Sequence, residues 1–368
     1  MSRKSMIQRR ILEALKPAHL LSAFFIVLFG ALFWIFSFNS LPEAHSTKVD
    51  IESERGAVEV YFSAPDDPNS RALRGGPDAR LAASIAGAQR SVDIAAYNLD
   101  LWSVRDALFE ASSSGAIVRV VVESANLDQP EIQDLLNGGI EVVADTSDAL
   151  MHHKFVVVDD WDVWTGSMNF TLNGAYRHDN NLLHLQSSKL AQNYRREFEE
   201  MFVEGRFGRL SRRDTPFPTF RIEGADVEVY FSPDDGALSG LLDALGQAEQ
   251  QVLVMAFTLT TDEITELLIE HMAHGIDVRV VLDADQVRNT GNDYEWLLES
   301  GVDVRTDRNP YNMHHKVMLI DGEVVVTGSY NFTRSAEERN DENLIIIKDD
   351  NLASSYLVEF NRIWEAAQ

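Results

Sequence analysis

The chain has 368 residues, of which 45% are hydrophobic, so it is long enough for two domains or one large duplicated domain. It contains no cysteine, which excludes disulfides, thiolate metal sites and a cysteine nucleophile. The formal net charge of −26 argues against non-specific nucleic-acid binding, because a strongly acidic surface repels polyanions.

A membrane anchor is the first element predicted along the chain. The segment 20–38 contains no charged residue, and a helix of that length spans roughly 28 Å, close to the hydrocarbon core of a bilayer. Basic residues in the segment 1–19 precede it, so the positive-inside rule predicts a cytoplasmic amino terminus. We expect an uncleaved single-pass anchor rather than a cleaved signal peptide, then a tether over 39–56, with the rest of the chain on the outer or periplasmic side of the cell membrane.

An internal repeat occupies the rest of the chain. VEVYFS occurs at 58–63 and again at 227–232, and TGSMNFT at 165–171 corresponds to TGSYNFT at 327–333. Several matching segments in the same order indicate a duplication. We therefore predict a first domain over 57–205 and a second over 223–368. The segment 206–222 between them is predicted as a linker, because Pro216 and Pro218 interrupt regular structure.

Each half alternates β-branched runs with helical stretches. Val118–Glu123 and Val278–Leu282 are predicted as buried strands, and Trp102–Ser114 and Asp262–His274 as helices that end at a glycine. This alternation favours two α/β halves with largely buried sheets.

The stretch MHHKFVVVDD at 151–160 and its counterpart MHHKVMLIDG at 313–322 carry reactive side chains. If each is a strand, His152 and Lys154 lie on one face and His153 on the other, and the second copy repeats this arrangement. Gly-Ser-x-Asn then follows in both halves. The candidate site residues from these stretches are His152, Lys154, Ser167, Asn169, His314, Lys316, Ser329 and Asn331. His153 and His315 are expected to pack beside the site.

Two halves that face each other across a pseudo-two-fold axis would place these groups in one site suited to a phosphodiester. The lysines and amides would hold the non-bridging oxygens, where negative charge accumulates. One imidazole would attack phosphorus and the other would protonate the leaving oxygen. Neither a metal nor another cofactor is expected, because the lysines supply the positive charge.

The spacing of these residues resembles the two HKD motifs of the phospholipase D superfamily. The two motifs read His152-x-Lys154-x4-Asp159-x6-Gly166-Ser167-x-Asn169 and His314-x-Lys316-x4-Asp321-x6-Gly328-Ser329-x-Asn331. The resemblance covers about residues 57–368. It implies two pseudo-symmetric α/β sandwich domains that share one active site, and a phosphohistidine intermediate. It also implies that Asp159 and Asp321 are structural supports and do not carry protons.

One difference between the halves suggests separate roles for the two histidines. In the superfamily an acidic residue after the motif orients the histidine of the other half. Here Glu342 lies 28 residues after His314, whereas Asn180 lies at the same distance after His152. A carboxylate stabilises an imidazolium, whereas an amide fixes only its tautomer. We expect Glu342 to pair with His152, which makes His152 the nucleophile and His314 the acid and base; Asp179 is the alternative carboxylate in the first half.

The resemblance leaves several functions open. The favoured one is a phospholipase D-type phosphodiesterase that hydrolyses phospholipid headgroups at a membrane surface, because an anchor holds the site near lipid. A metal-independent nuclease or nucleotide phosphodiesterase is an alternative, with nucleic acid as the partner. A cardiolipin synthase-like phosphatidyl transferase, in which an alcohol replaces water, is another. A non-catalytic binding module is disfavoured by the intact histidine and lysine pairs.

Overall fold

The computed structural model describes residues 53–368, which lie in one compact unit. The predicted anchor at 20–38 and the tether up to residue 52 lie outside the described residues. Between residues 53 and 368, no helix combines the length and the apolar character needed to cross a bilayer.

The first half contains a seven-stranded sheet. After the two-residue strand β1 (Ser53–Glu54), its strands are β2 (Ala57–Phe62), β3 (Ser91–Ala96), β4 (Ile117–Val122), β5 (Glu141–Ala144), β6 (Lys154–Val158), β7 (Asp162–Gly166) and β8 (Asn181–Gln186). Its helices are α1 (Pro68–Arg71), α2 (Asp78–Ala86), α3 (Trp102–Ser113), α4 (Pro130–Asn137), α5 (Leu172–Tyr176) and α6 (Ser188–Phe202). The spatial order is β2-β8-β7-β6-β3-β4-β5.

The second half repeats this pattern in a nine-stranded sheet. Its strands are β9 (Thr219–Ile222), β10 (Ala225–Ser232), β11 (Gln251–Ala256), β12 (Asp277–Leu282), β13 (Asp303–Thr306), β14 (Lys316–Ile320), β15 (Val324–Gly328) and β16 (Glu342–Lys348). Its helices are α7 (Ala237–Leu245), α8 (Asp262–Ala273), α9 (Tyr294–Glu299), α10 (Arg334–Glu338) and α11 (Asp350–Ala366). The spatial order is β1-β9-β10-β16-β15-β14-β11-β12-β13.

Each sheet contains both parallel and antiparallel strand pairs, because helices connect some neighbouring strands and short turns connect others. In the first half β3, β4 and β5 are parallel neighbours, and the helices α3 and α4 connect them. The hairpin β6–β7 is antiparallel and joins this parallel part through β6 and β3. A parallel connection needs a crossover helix, whereas a hairpin needs only a short turn. The catalytic motif of each half begins at the hairpin, in the middle of the sheet.

Three hydrophobic cores divide the protein into layers. One core combines the facing sides of both sheets with α6 and α11, so these two helices lie between the sheets. The other two cores fill the space between each sheet and its outer helices. Aromatic contacts join the halves: the ring of Tyr194 in α6 lies 5.1 Å from that of Phe231, and Phe62 lies 5.1 Å from Tyr356 in α11. Strands buried on both faces explain the continuous apolar runs of the sequence.

The predicted α/β halves and their repeated elements are confirmed. The helices predicted at Trp102–Ser114 and Asp262–His274 each end one residue earlier. Two boundaries differ from prediction. The end of the predicted tether forms β1, which pairs in parallel with β9, and β9 lies inside the predicted linker. Pro216 and Pro218 precede β9, so they do not remove any hydrogen bond from it.

Candidate active site

The two motif histidines lie just before β6 and β14, where the chain passes close to the other half. The sequence analysis placed each histidine within a strand, but the strands begin two residues later, at the lysines. The backbone N–H of His152 donates to the carbonyl of Asp341 over 2.9 Å, and that of His314 donates to the carbonyl of Asp179 over 2.9 Å. Each histidine is therefore tied by its backbone to the opposite half.

His152 interacts with a buried carboxylate from the second half. Its Nδ1–H donates to Oε2 of Glu342 over 2.7 Å, and the carboxylate is fully buried. The proton on Nδ1 leaves a lone pair on Nε2, the atom required for a nucleophile. Burial lowers the pKa of His152 to about 4, although the charge of Glu342 opposes this shift. The ring of Tyr97 packs edge-on against the imidazole, with centroids 4.7 Å apart.

His314 has only neutral hydrogen-bond partners. Its Nδ1 lies 3.0 Å from Oδ1 of Asn180 and 3.1 Å from the carbonyl oxygen of Ser167, both from the first half. Since both partners are acceptors, Nδ1 carries a proton in this structure as well. Burial lowers the pKa of His314 well below its usual range, and Lys316, Lys154, His178 and His152 lower it further. Charged groups from both motifs thus lower the pKa of this imidazole.

The two motif lysines are buried beside the histidines. Nζ of Lys154 donates to the carbonyl of His152 over 2.6 Å, and Nζ of Lys316 donates to that of His314 over 2.9 Å. Burial lowers the pKa of Lys154 well below its usual range and that of Lys316 to about 7. An anion bound between the lysines would favour their charged forms, because an opposite charge stabilises an ammonium.

The carboxamides of the motifs are available to a ligand. The side-chain oxygens of Asn169 and Asn331 are buried and make no hydrogen bond within residues 53–368. The hydroxyls of Ser167 and Ser329, by contrast, are fully buried and accept the backbone N–H groups of Asn181 and Asn343. The asparagine side chains are therefore not held through these oxygens, and their amide N–H groups can donate to a phosphate, whereas the serines fix the strands behind the site.

The motif aspartates hold turns at the far end of the hairpins. The carboxylate of Asp159 accepts three successive backbone N–H groups, those of residues 89–91, and Asp321 accepts those of residues 249–251. Both residues have a left-handed backbone, with φ of 55° and 52°. Aspartate tolerates this region better than most residues. This geometry fits a supporting role for both aspartates.

Several residues of the site were not singled out by the sequence analysis. The ring of Phe257 packs against His314 at 4.6 Å, as the ring of Tyr97 does against His152. The carboxylates of Glu123 and Asp283 accept the backbone N–H of the methionine before each histidine. Tyr97 and Phe257 are equivalent in the matching segments IAAYNLD and VMAFTLT, as Glu123 and Asp283 are in GAIVRVVVES and GIDVRVVLDA. Identical placement in both copies of the repeat was the signal that could have found them.

His178 is a third imidazole near the site, and it breaks the pseudo-symmetry. Its ring centroid lies 5.8 Å from that of His314, and its Nδ1 is buried without a hydrogen-bond partner in the described part of the chain. Burial lowers its pKa to about 4, so it is neutral. The second half has Asn340 at the corresponding position, a difference that is visible when the two copies of the repeat are compared.

His153 and His315 lie in the packed interior behind the site. Each is fully buried, and its Nε2 lies beside a glutamate of the interlayer helices, Glu197 at 3.0 Å or Glu359 at 3.2 Å. The other ring nitrogen accepts a hydrogen bond from an asparagine of the opposite half. These histidines therefore connect the two sheets and do not face the substrate.

Comparisons with known proteins agree with this arrangement. A family model described as "Cardiolipin synthase, PLD-like domain" matches residues 81–202 and 241–364. A mitochondrial cardiolipin hydrolase of Chlamydomonas reinhardtii is 35% identical over 135 residues, which cover 37% of this chain and 60% of that protein. A phospholipase D of Rickettsia conorii is 37% identical over 131 residues, covering 36% of this chain and 66% of that protein. The chain thus spans about two thirds or less of these curated relatives.

A solved structure has a similar fold over most of this chain. The phosphatidylserine synthase of Haemophilus influenzae superposes with a TM-score of 0.63 over 79% of this chain and 84% of that protein, at 13% sequence identity. At this identity the likeness concerns the fold alone.

Proposed function

Because this chain belongs to the family of cardiolipin synthase, PLD-like domains, we propose that it is a phospholipase D-type phosphodiesterase that hydrolyses phospholipid headgroups through a phosphohistidine intermediate. One observation carries the proposal. His152 and His314 each donate their orienting hydrogen bond to a residue of the opposite half, so the two halves build one site.

The first step of the proposed reaction uses the two histidines differently. Nε2 of His152 attacks phosphorus and the bond to the leaving oxygen breaks, which turns the imidazole into a cation. Glu342 lies 2.7 Å from Nδ1 and stabilises this charge. His314 has no carboxylate partner within the described residues, so its imidazolium is a stronger acid and readily donates its proton to the leaving oxygen.

The substrate itself helps to prepare this acid. In the structure burial keeps the pKa of His314 well below its usual range. A phosphodiester carries a negative charge, and a neighbouring anion raises the pKa of an imidazole. His314 therefore gains its proton as the substrate binds. In the second step the neutral His314 removes a proton from water, and the resulting nucleophile cleaves the phosphohistidine.

The lysines and asparagines have binding roles in this proposal. Lys154, Lys316, Asn169 and Asn331 surround the non-bridging oxygens and stabilise the charge that builds up on them. No resident metal is invoked, because Lys154 and Lys316 supply positive charge once the bound phosphate favours their ammonium forms.

We also propose that the segment 20–38 anchors the enzyme in the cell membrane, with its catalytic part outside the cytoplasm. The uncharged segment and the basic residues before it support this placement. Protease treatment of spheroplasts tests it, because the outer face of the cell membrane is then accessible: digestion of the catalytic part without lysis is expected, and complete protection would contradict the proposal.

The activity is tested with the full-length chain in detergent micelles. Phosphatidylglycerol and phosphatidylcholine are offered separately, with EDTA present, and release of phosphatidic acid is measured. Single- and double-stranded DNA and RNA are offered in parallel. Release of phosphatidic acid supports the proposal; cleavage of nucleic acid without lipid turnover would replace it with a nuclease function.

A further inference from the structure

The backbone of His178 is held in place, whereas its imidazole has no hydrogen-bond partner. The backbone N–H of His178 donates to the carbonyl of Asn173 over 2.8 Å, and its carbonyl accepts the hydroxyl of Ser63 over 2.6 Å. Neither ring nitrogen forms a hydrogen bond within residues 53–368; Nδ1 is buried, and Nε2 remains accessible. The protein therefore fixes the position of this ring and leaves Nε2 for a ligand.

The imidazole of His178 lies beside the acid and base of the proposed reaction. Its ring centroid is 5.8 Å from that of His314, and the two ring planes are tilted by 43°. Burial lowers the pKa of His178 to about 4, and the positive charge of Lys316 contributes to this shift. The ring is therefore neutral near pH 7 and can accept a hydrogen bond.

The equivalent residue of the repeat, Asn340, has a different role. Its amide donates to Oε1 of Glu342 over 3.3 Å, and its side-chain oxygen accepts the backbone N–H of Leu150 over 3.3 Å. On the side of the nucleophile this position thus supports the carboxylate that stabilises His152. On the side of His314 the same position carries a free imidazole, so His178 belongs to the steps in which His314 acts.

The hydrolytic step needs two hydrogen-bond acceptors. The attacking water uses a lone pair on phosphorus, so both of its O–H groups are left to donate. Nε2 of His314 accepts one of them, because its Nδ1–H is already bound to the first half. A water that lies about 2.8 Å from each of two nitrogens bridges atoms up to about 5.6 Å apart. The distance of 5.8 Å between the two ring centroids is of this size.

We propose that His178 is a catalytic residue of the second step, in which its Nε2 accepts a hydrogen bond from the water that hydrolyses the phosphohistidine. This inference rests on the proposed function. The water oxygen forms a bond with phosphorus, the bond between phosphorus and Nε2 of His152 breaks, and its electron pair returns to that imidazole. His314 takes one proton of the water, and His178 stays neutral. Since no protein group binds Nδ1 of His178, the ring can adopt the tautomer that presents a lone pair at Nε2.

This role makes His178 a determinant of the acceptor that the enzyme uses. An alcohol has a single O–H group, which His314 needs for proton removal, so it has none left for His178. Water gains a hydrogen bond that an alcohol does not make, and a site built to bind a particular O–H group discriminates against an analogue that lacks it. His178 therefore favours hydrolysis over transfer of the phosphatidyl group to an alcohol.

Two substitutions separate the nitrogens of this ring. The side chain of His178→Asn reaches only as far as Nδ1, so it removes the acceptor at Nε2. The side chain of His178→Gln is one carbon longer and places a carbonyl oxygen near the position of Nε2. His274→Asn makes the first replacement at an exposed histidine after α8 and is the control. Thermal unfolding of each variant confirms that it is folded under the assay conditions.

The assay follows the fate of the covalent intermediate in the full-length enzyme in detergent micelles. Bis(4-nitrophenyl) phosphate is offered with ethanol, and the ratio of 4-nitrophenyl phosphate to ethyl 4-nitrophenyl phosphate gives the ratio of hydrolysis to transfer. The burst of 4-nitrophenol reports the first step separately. The same ratio is measured on phosphatidylglycerol as phosphatidic acid against phosphatidylethanol.

His178→Asn is expected to lower the ratio of hydrolysis to transfer about tenfold, the effect of one lost hydrogen bond to a buried group. The burst rate should stay at the wild-type value, because His178 acts only after the intermediate has formed. His178→Gln should bring the ratio back toward wild type, and His274→Asn should leave it unchanged.

Three results would overturn the role of His178. An unchanged ratio in His178→Asn would show that the ring does not bind the water. Equal falls in the Asn and Gln variants would indicate a packing role. A burst rate that falls as much as the steady-state rate would place His178 in the first step.

The same measurements separate this inference from the proposed function. Turnover of phosphatidylglycerol with a wild-type ratio in His178→Asn would overturn the inference and leave the function intact. Cleavage of nucleic acid without lipid turnover would replace the proposed substrate, while the ratio on bis(4-nitrophenyl) phosphate still decides the role of His178. No turnover of any phosphodiester would overturn both.

Discussion

The imidazole of His152 donates a hydrogen bond of 2.7 Å to Glu342, although 190 residues separate them in the chain. His314, in the equivalent position of the repeat, has Asn180 in place of this carboxylate. One protein thus contains two histidines with almost the same surroundings and different charges beside them. This difference supports the assignment of nucleophile and acid that we propose, because only a nucleophilic imidazole becomes a lasting cation.

Glu342→Gln is expected to slow formation of the phosphoenzyme. Gln keeps a hydrogen-bond acceptor but loses the charge that stabilises the cationic ring. The loss of a charged hydrogen bond is worth about 1.5–3 kcal/mol, so kcat should fall roughly 10- to 150-fold. Burst kinetics measure this step directly. Asn180→Gln, at the equivalent position beside His314, is the control. An equal loss of burst rate in this variant would argue against separate roles for the two histidines.

His314→Ala is expected to trap the covalent intermediate. A 4-nitrophenyl ester needs little help from an acid, so His152 can still attack it, but no base then activates water. Turnover should fall by roughly 10²–10⁴. Mass spectrometry of the protein after a rapid quench should place the phosphoryl adduct on His152. An adduct on another residue, or none on His152 while turnover continues, would reverse the assignment.

Glu200→Gln is expected to stabilise the protein above neutral pH. Arg362 of α11 bridges Glu359 and Asp179, but the equivalent position in α6 is Glu200, which has a buried oxygen without a hydrogen-bond partner among the described residues. Burial raises the pKa of Glu200 to about 7, as it does for Asp234.

The sign of this pH effect follows from the direction of the shift. Between about pH 4.5 and 7 the folded state holds protons that the unfolded state has released, so stability falls as the pH rises through this range. Thermal unfolding at pH 5 and pH 8 measures the effect. Glu200→Gln should raise the melting temperature at pH 8 by a few degrees, roughly 2–4 °C per kcal/mol, and bring it closer to the value at pH 5. An unchanged pH dependence would contradict this explanation.

Asp321→Asn is expected to lower the free energy of unfolding while leaving kcat nearly unchanged. The amide keeps one acceptor oxygen and tolerates the left-handed backbone, but it cannot hold all three N–H groups that the carboxylate accepts. We expect a loss of about 1–3 kcal/mol in the free energy of unfolding. Urea denaturation measures this, and kcat well below the melting transition should remain within about threefold of wild type. A loss of activity without a loss of stability would place Asp321 in the chemistry.

The sequence by itself determined the duplication, the α/β class and the residues of both motifs. These features are local: a repeated spacing of histidine, lysine and asparagine is visible without knowing which strands are neighbours. The pairing of Glu342 with His152 was expected from the resemblance to the phospholipase D superfamily, and the comparison of the two equivalent positions showed that only one of them is a carboxylate.

Only the tertiary structure decided what surrounds those residues. The aromatic rings packed against His152 and His314 and the placement of His178 depend on contacts between segments far apart in the chain. The edge pairing of β1 with β9 is also a contact between distant segments, so the tether and linker boundaries could not be read from composition. Burial and neighbouring charge set the pKa of each group, and both depend on how the two sheets pack together.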